Sequence, residues 1–188
     1  GLMTLGGGWG VVASDLCVEN GLTIPDLPPD LISRIDEILP PYWSRSNPID
    51  LVGKFNPKIA MQVMDELVKW EGCDAVLHLG ILGRMASVRQ MIRSILEVDP
   101  VMDRKFLDAI PGALVEFENR FTIHMVHLME KSGKPILGVN LLPNENARTI
   151  MDVEGSPYKG VSFLTPERSV KALARMNAYR QWREREEQ

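Results

Sequence analysis

Three continuous apolar runs constrain this chain more than anything else in it: Cys73–Gly80 (CDAVLHLG), Lys134–Leu142 (KPILGVNLL) and Lys159–Leu164 (KGVSFL). Each is about one strand long. None shows the apolar–polar alternation of a strand with one wet face, so each predicts a strand covered on both sides. Between them lie stretches with helical spacing. Arg84–Leu96 is one. Ala113–Ser132 is another, with Leu114, Phe117, Phe121, Met125 and Leu128 along one side and Gly133 as its C-terminal cap. Strands of this kind are buried on both faces in a parallel sheet, whose crossover connections lay helices over it.

The remaining segments extend the same alternation. Leu2–Leu5 is a short apolar run that stops at glycines, and Gly10–Asn20 predicts a helix closed by Gly21, with Val11, Val12, Leu16 and Cys17 inward. Leu22–Leu27 (LTIPDL) reads as an edge strand, because Pro25 has no N–H to give a central ladder. A proline-bracketed helix follows, with Leu31, Ile32, Ile35, Ile38 and Leu39 inward, and then a loop, YWSRSNPIDLVG. Asn56-Pro57 and Thr165-Pro166 each place a capping residue before a first-turn proline, and Gly72 ends the first of these two helices. Five strands alternating with helices predict a doubly wound five-stranded parallel α/β sheet of order 2-1-3-4-5. Its switch point lies between the first and third strands, where ligands bind at the carboxyl ends. No internal repeat or low-complexity segment interrupts the pattern.

Two segments are expected at that switch point. Thr4–Asp15 (TLGGGWGVVASD) places Gly6, Gly7, Gly8 and Gly10 around Trp9, directly before a helix. Consecutive amides at a helix N-terminus, with no Cβ in front of them, suit a phosphate, carboxylate or thioester oxygen. The segment is neither a Walker loop nor a dinucleotide fingerprint, since no Lys-Ser/Thr follows and the glycine spacing differs. A tight strand-to-helix turn under a neighbouring domain explains the glycines equally well. Gly80-Ile81-Leu82-Gly83-Arg84 repeats the design more weakly: Arg84 in a first helical turn is unfavourably placed unless an anion faces it, or else it reaches into solvent. His78 reads as a ligand or base, or as a hydrogen-bonded core residue. Asn47, Asp50 and Gly53 share one loop, with a plain Asn-Pro turn and an internal role for Asp50 as the alternative.

Other chemistries are poorly represented. The net charge of −4 argues against a general nucleic-acid or anionic-membrane binder. Cys17 and Cys73 lack CxxC spacing and read as buried reduced thiols, while His124 and His127 have no further metal ligands near them in sequence. No apolar run is long enough to span a bilayer, and no signal segment opens the chain. There is no Ser-His-Asp set and no carboxylate pair in a predicted cleft, so no catalytic residue and no metal site are assigned. The chain opens without Met and enters a strand almost at once, which suggests a piece of a longer polypeptide. Trp182, in the charged terminal stretch, is expected to pack against something.

Three stretches together resemble the NDP-forming acyl-CoA synthetases, the superfamily of succinyl-CoA synthetase and the ADP-forming acetate–CoA ligases. They are Thr4–Leu22 (TLGGGWGVVASDLCVENGL), Leu39–Gly53 (LPPYWSRSNPIDLVG) and Val161–Arg183 (VSFLTPERSVKALARMNAYRQWR). The resemblance is to the second flavodoxin-like ligase domain of that family and covers most of the chain. It implies a single domain over 1–188, with 84–112 as a helical elaboration. It also implies a share in the reaction acyl-CoA + NDP + phosphate = acid + CoA + NTP. In that family a phosphorylated histidine on a neighbouring domain carries the phosphoryl group to ADP or GDP on an ATP-grasp domain. Paired flavodoxin-like domains aim helix N-termini at it and at the acyl carboxylate.

By this resemblance Thr4, Gly6, Gly7, Gly8, Trp9, Gly10, Gly80, Gly83 and Arg84 hold acyl or phosphoryl oxygens, with Asn47, Asp50 and His78 in support. None of the three histidines stands in the family's phosphohistidine context. CoA, ADP or GDP, and Mg belong on neighbouring domains, with no cofactor held tightly here. The implied partners are CoA-binding, histidine-loop and ATP-grasp domains, in the same chain or a partner subunit, and a small acyl substrate. The implied setting is an oligomeric cytoplasmic enzyme without nucleic-acid or membrane partners, of which this piece alone is inactive.

Two departures stand out: Leu5 replaces the amide that succinyl-CoA synthetases carry before the glycines, and Ser87–Pro111 lengthens the crossover. Both argue against a dicarboxylate such as succinate. The alternatives are a non-catalytic docking or regulatory module of a CoA-binding protein and a flavin binder. Against the latter, Trp9 is the sole aromatic residue near the switch point.

Overall fold

The computed structural model describes residues 1–53, 56–142 and 149–187. Its elements in chain order are β1 (Leu2–Thr4), α1 (Gly7–Glu19), α2 (Pro29–Asp36), β2 (Ile49–Asp50), α3 (Pro57–Lys69), β3 (Val76–Leu79), α4 (Met85–Val98), α5 (Arg104–Ser132), β4 (Ile136–Val139), β5 (Ile150–Asp152), β6 (Lys159–Phe163) and α6 (Pro166–Glu186).

The α/β class agrees with the sequence reading, but strand count and order differ from it: six strands run β2-β1-β3-β4-β6-β5. All neighbours are parallel except β5, which pairs antiparallel with β6 through Ile150↔Val161. Leu22–Leu27 is not a strand. The edge beside β1 is taken by β2, in register Met3↔Ile49 and Thr4↔Asp50. Asn47 explains the exchange. Its Oδ1 accepts the Leu2 N–H at 2.9 Å, while its Nδ2 donates to the Pro25 carbonyl at 3.0 Å, so the 22–27 segment lies alongside without laddering.

In β3 and β4 the continuous apolar runs are buried on both faces and alternate residues serve two cores, whereas β6, at the antiparallel side of the sheet, exposes Lys159 and buries Val161 and Phe163 only in part. Leu77, Leu79, Leu137 and Val139 face Ala13 and Cys17 of α1 and Val170 and Leu173 of α6. Met3, Val76 and Ile136 face the larger cluster with Val63 and Met64 of α3 and Phe117, Phe121 and Met125 of α5. The chain is therefore three layers, helix–sheet–helix. The side chains of α5 that enter the core recur at helical spacing from Leu107 to Met129.

Several boundaries shift. The helix α1 begins at Gly7, inside the glycines, and Val11 and Val12, expected inward, are exposed while Gly10, Ala13 and Cys17 are buried. The helix α5 begins at Arg104, capped by Asp103, and runs through Pro111 instead of starting after it. Thr165 stands at the N-cap of α6 without making a capping bond there. Trp182 is half exposed and tilts against Tyr179 of its own helix, with ring centroids 5.7 Å apart, and Gln188 lies outside the described residues.

Both cysteines are free and buried, and burial pushes the Cys17 thiol pKa up. His124 bonds Asp65 at 2.7 Å, tying α5 to α3. Among the described residues no group of three metal-ligating side chains forms, and no helix is long and apolar enough to cross a membrane.

Candidate functional site

β1 and β3 are adjacent and parallel, so the turns that follow them emerge side by side at the carboxyl edge of the sheet. The Leu5 N–H donates to the Leu79 carbonyl at 3.1 Å, and a Cβ on Gly80 would lie 3.9 Å from that of Leu5. The two glycine segments thus meet where the alternation of elements placed them. Their glycines have different causes.

In the first segment, Gly6 is the N-cap of α1, with extended backbone (φ −154°) and no side chain to cap the helix. Its own amide is taken by Thr4 Oγ1 at 3.2 Å, whose hydroxyl donates to the Gly6 carbonyl at 2.8 Å, fixing the entry to the helix. Gly7 and Gly8 are the first two helical residues, and their amides have no carbonyl a turn earlier to bond.

Neither Gly7, Gly8 nor Gly10 has positive φ. Gly10 has a packing reason: a Cβ there would lie 3.2 Å from Pro48 Cβ and 3.3 Å from Thr4 Cγ2. Gly8 has none among the described residues, for none of them stands within 4 Å of the Cβ it lacks, and it is exposed. At Gly7 the one near atom among the described residues is Asp50 Oδ2, at 3.2 Å. A Cβ in a helix tilts toward the N-terminus, so side chains at 7 and 8 would project into the space in front of these amides. The fold does not require Gly8, and the cost in helix propensity of leaving it there is about 1 kcal/mol.

The second segment is internally satisfied. Gly80 and Gly83 both have positive φ (72° and 75°), and a Cβ on Gly83 would meet Asn140 Cβ at 2.6 Å. Here the glycines serve the turn. The amides of Gly83 and Arg84 donate to one oxygen of Glu118, Oε1 on α5, at 3.0 and 3.2 Å. Burial lowers the Arg84 pKa and the Glu118 charge opposes that shift. The anion that Arg84 calls for is thus supplied by the chain itself.

The supporting residues separate as well. Asp50 lies beside Gly7, its Oδ1 accepting the Val52 N–H at 2.8 Å. Asn47 braces the start of β1, as described, and is not at the carboxyl edge. His78 corrects the expectation most clearly. It sits mid-strand between Met3 and Gly138, fully buried, its ring edge-on to Phe121 with centroids 5.1 Å apart. Among the described residues neither ring nitrogen has a hydrogen-bond partner, and burial drives its pKa down to about 3. It is a neutral core residue that cannot reach a ligand at the edge. Trp9 packs partly buried onto the α1/α6 core, anchoring the first turn of α1.

A cavity of about 330 Å³ opens beside Gly7, lined among others by Thr4, Ser14, Asp15, Ser46 and Asp50. A larger one, about 810 Å³, lies at the opposite end of the sheet, among Gly1, Ala75, Pro135 and Arg180. It has no part in the glycine edge. The arrangement at that edge can bind and orient an oxyanion through backbone amides and the helix dipole. Glu118 escaped the sequence reading because nothing in its local pattern distinguishes it from a solvated helix residue.

Residues 1–88 match the family model of the Ligase-CoA domain. The chain is 25% identical over 181 residues to an ADP-forming acetate–CoA ligase of Methanocaldococcus jannaschii, covering 95% of this chain and 21% of that protein. It is 23% identical over 106 residues to an ADP-forming 4-hydroxybutyrate–CoA ligase of Nitrosopumilus maritimus, covering 56% of this chain and 15% of that protein. Among solved structures it resembles the dinucleotide-forming acetyl-coenzyme A synthetase 1 of Ca. Korarchaeum cryptofilum. For the apo form the TM-score is 0.59 at 19% identity, over 96% of this chain and 33% of that one, and the same protein has been solved with phosphate and ADP. The chain therefore spans about a fifth of the length of the curated ligase whose similarity extends over nearly all of it.

Proposed function

We propose that this chain, a relative of the ADP-forming acyl-CoA ligases, is the flavodoxin-like ligase domain of an NDP-forming acyl-CoA synthetase. In that reading it supplies a backbone anion site for the reaction acyl-CoA + NDP + phosphate = acid + CoA + NTP. The observation that carries the reading is Gly8, together with Gly7: two helical glycines whose bareness serves no turn and, at Gly8, no packing contact. An acyl carboxylate or phosphoryl group approaching the amino end of α1 would meet two amides and the positive end of the helix dipole. Such donors stabilise charge as it develops on a transferring group without reorganising, which is how a domain that only binds and orients contributes to rate.

The phosphorylated histidine, CoA, ADP or GDP, and Mg would then belong to CoA-binding, histidine-loop and ATP-grasp domains of the same cytoplasmic enzyme. The present domain would span 1–188, with 84–112 as an elaboration on the face away from α1. The test is an amide chemical-shift titration of the 188-residue chain with inorganic phosphate and with acetate, using chloride as the ionic-strength control. Saturable shifts at Gly7 and Gly8, with Gly83 and Arg84 unmoved because Glu118 holds them, are the expected result. Shifts no larger than those with chloride would refute the site.

A further inference from the structure

The two turns at the carboxyl edge begin alike and end differently. One presents bare amides at Gly7 and Gly8; at the other the amides of Gly83 and Arg84 both donate to Glu118 Oε1, 35 and 34 residues away. Glu118 projects from α5, half-buried, and its charge bears on Arg84 as well. On the near side of the first turn stand two further carboxylates, Asp50 and Asp15, and among the described residues no lysine or arginine lines the cavity there. A substrate anion at Gly7 and Gly8 is therefore flanked by acids, and Arg84, the cation of the neighbouring turn, is already answered by Glu118.

We propose that Glu118 is a specificity-determining residue: its carboxylate, held on the Gly83 and Arg84 amides, keeps acyl groups with a second negative charge away from the Gly7–Gly8 anion site. The inference rests on the ligase reading above and extends it to the choice of acid. The two turns leave adjacent strands, one spacing of about 5 Å apart, so an acyl group reaching one further spacing from the Gly7–Gly8 site toward the second turn brings its distal carboxylate to within roughly 10 Å of Glu118. At an effective dielectric of about 20, a unit charge at that range shifts affinity by on the order of tenfold.

The experiment compares succinate with butyrate, acids of the same chain length that differ by one carboxylate, in the intact enzyme. The readout is the ratio of their kcat/KM values. In Glu118→Gln the side-chain oxygen still accepts both amides while the charge is gone, and the succinate-to-butyrate ratio should rise on the order of tenfold, through KM for succinate. Glu118→Asp keeps the charge and should keep the wild-type ratio. A purely structural role would lower both acids together and leave the ratio unchanged in Glu118→Gln, which would overturn the proposal. So would an equal rise in Glu118→Asp, since packing and not charge would then be responsible. If wild type activates butyrate and the ratio fails to move, only the role of Glu118 falls. An enzyme that activates no acid at all refutes the ligase reading and this assignment with it.

Discussion

His78 makes the stability of this domain sensitive to mild acid. Its ring is fully buried on β3, edge-on to Phe121, over Gly138, where even a Cβ would come within 2.4 Å of the ring. Protonating it would place an uncompensated cation among apolar groups, and burial holds its pKa at about 3 against 6.5 for the ordinary side chain. Below pH 6.5 the unfolded chain therefore binds a proton that the folded chain refuses, and stability falls as pH falls, levelling off only near pH 3. At tenfold per pH unit, the loss between pH 6.5 and 5 is about 2 kcal/mol, a large part of a typical domain's total of about 5–15. The perturbation is His78→Leu, which removes the titrating group and the two unsatisfied nitrogens. Urea unfolding at pH 7 and pH 5 should show wild type losing about 2 kcal/mol more than the variant over that interval. Carboxylates whose pKa values are lowered by a side-chain hydrogen bond or ion pair, Asp36 chiefly by the Trp43 indole N–H and Asp30 and Glu66 by the charged groups beside them, weaken both proteins alike at more acid pH. Equal pH slopes for wild type and variant would refute the burial argument.

Gly10→Ala should lower stability by about 1–3 kcal/mol, because its methyl meets Pro48 and Thr4 at 3.2–3.3 Å, while the folded fraction keeps normal kinetics. Thermal unfolding of that variant checks it, and an unchanged Tm would show that the Pro48 loop yields. Asn47→Ala leaves the Leu2 N–H and the Pro25 carbonyl without their side-chain partner and should cost about 1–3 kcal/mol. Amide exchange at Leu2 should speed up in the same variant; protection equal to wild type would contradict the bracing role.

The layered α/β plan was legible because the runs at 73–80, 134–142 and 159–164 admit few other solutions. Leu77 and Leu79 serve one core while Val76 serves the other. The edges were not legible. β2 is two residues inside a Pro-rich loop and β5 three partly exposed residues, too short for any periodicity, and each exists because a longer neighbour offers it a ladder. Leu22–Leu27 had the composition of an edge strand, yet the side chain of Asn47 took the first of the bonds it would have made. At the candidate site the sequence located both glycine turns but could not tell them apart. Whether a glycine is bare for a ligand or for a neighbour depends on what lies within a few ångströms. For Gly83 that is Asn140, for Gly10 it is Pro48, and for Gly8 it is open space. His78 was misplaced for the same reason: an apolar strand shows that it is buried, not that it lacks a partner.

The most direct measurement is Gly8→Ala in the full-length enzyme, with Tm and steady-state kinetics taken on one sample. Alanine fits the open space and the helical backbone, so the folded state should be as stable as wild type or more so, by up to about 1 kcal/mol. Its methyl, tilted toward the amino end of α1, stands where an oxyanion would approach, and losing one well-aimed donor can cost on the order of 100-fold in kcat/KM. A protein that is no less stable and far less active is the expected result. Wild-type kinetics with an unchanged or raised Tm would contradict the anion site at Gly7 and Gly8.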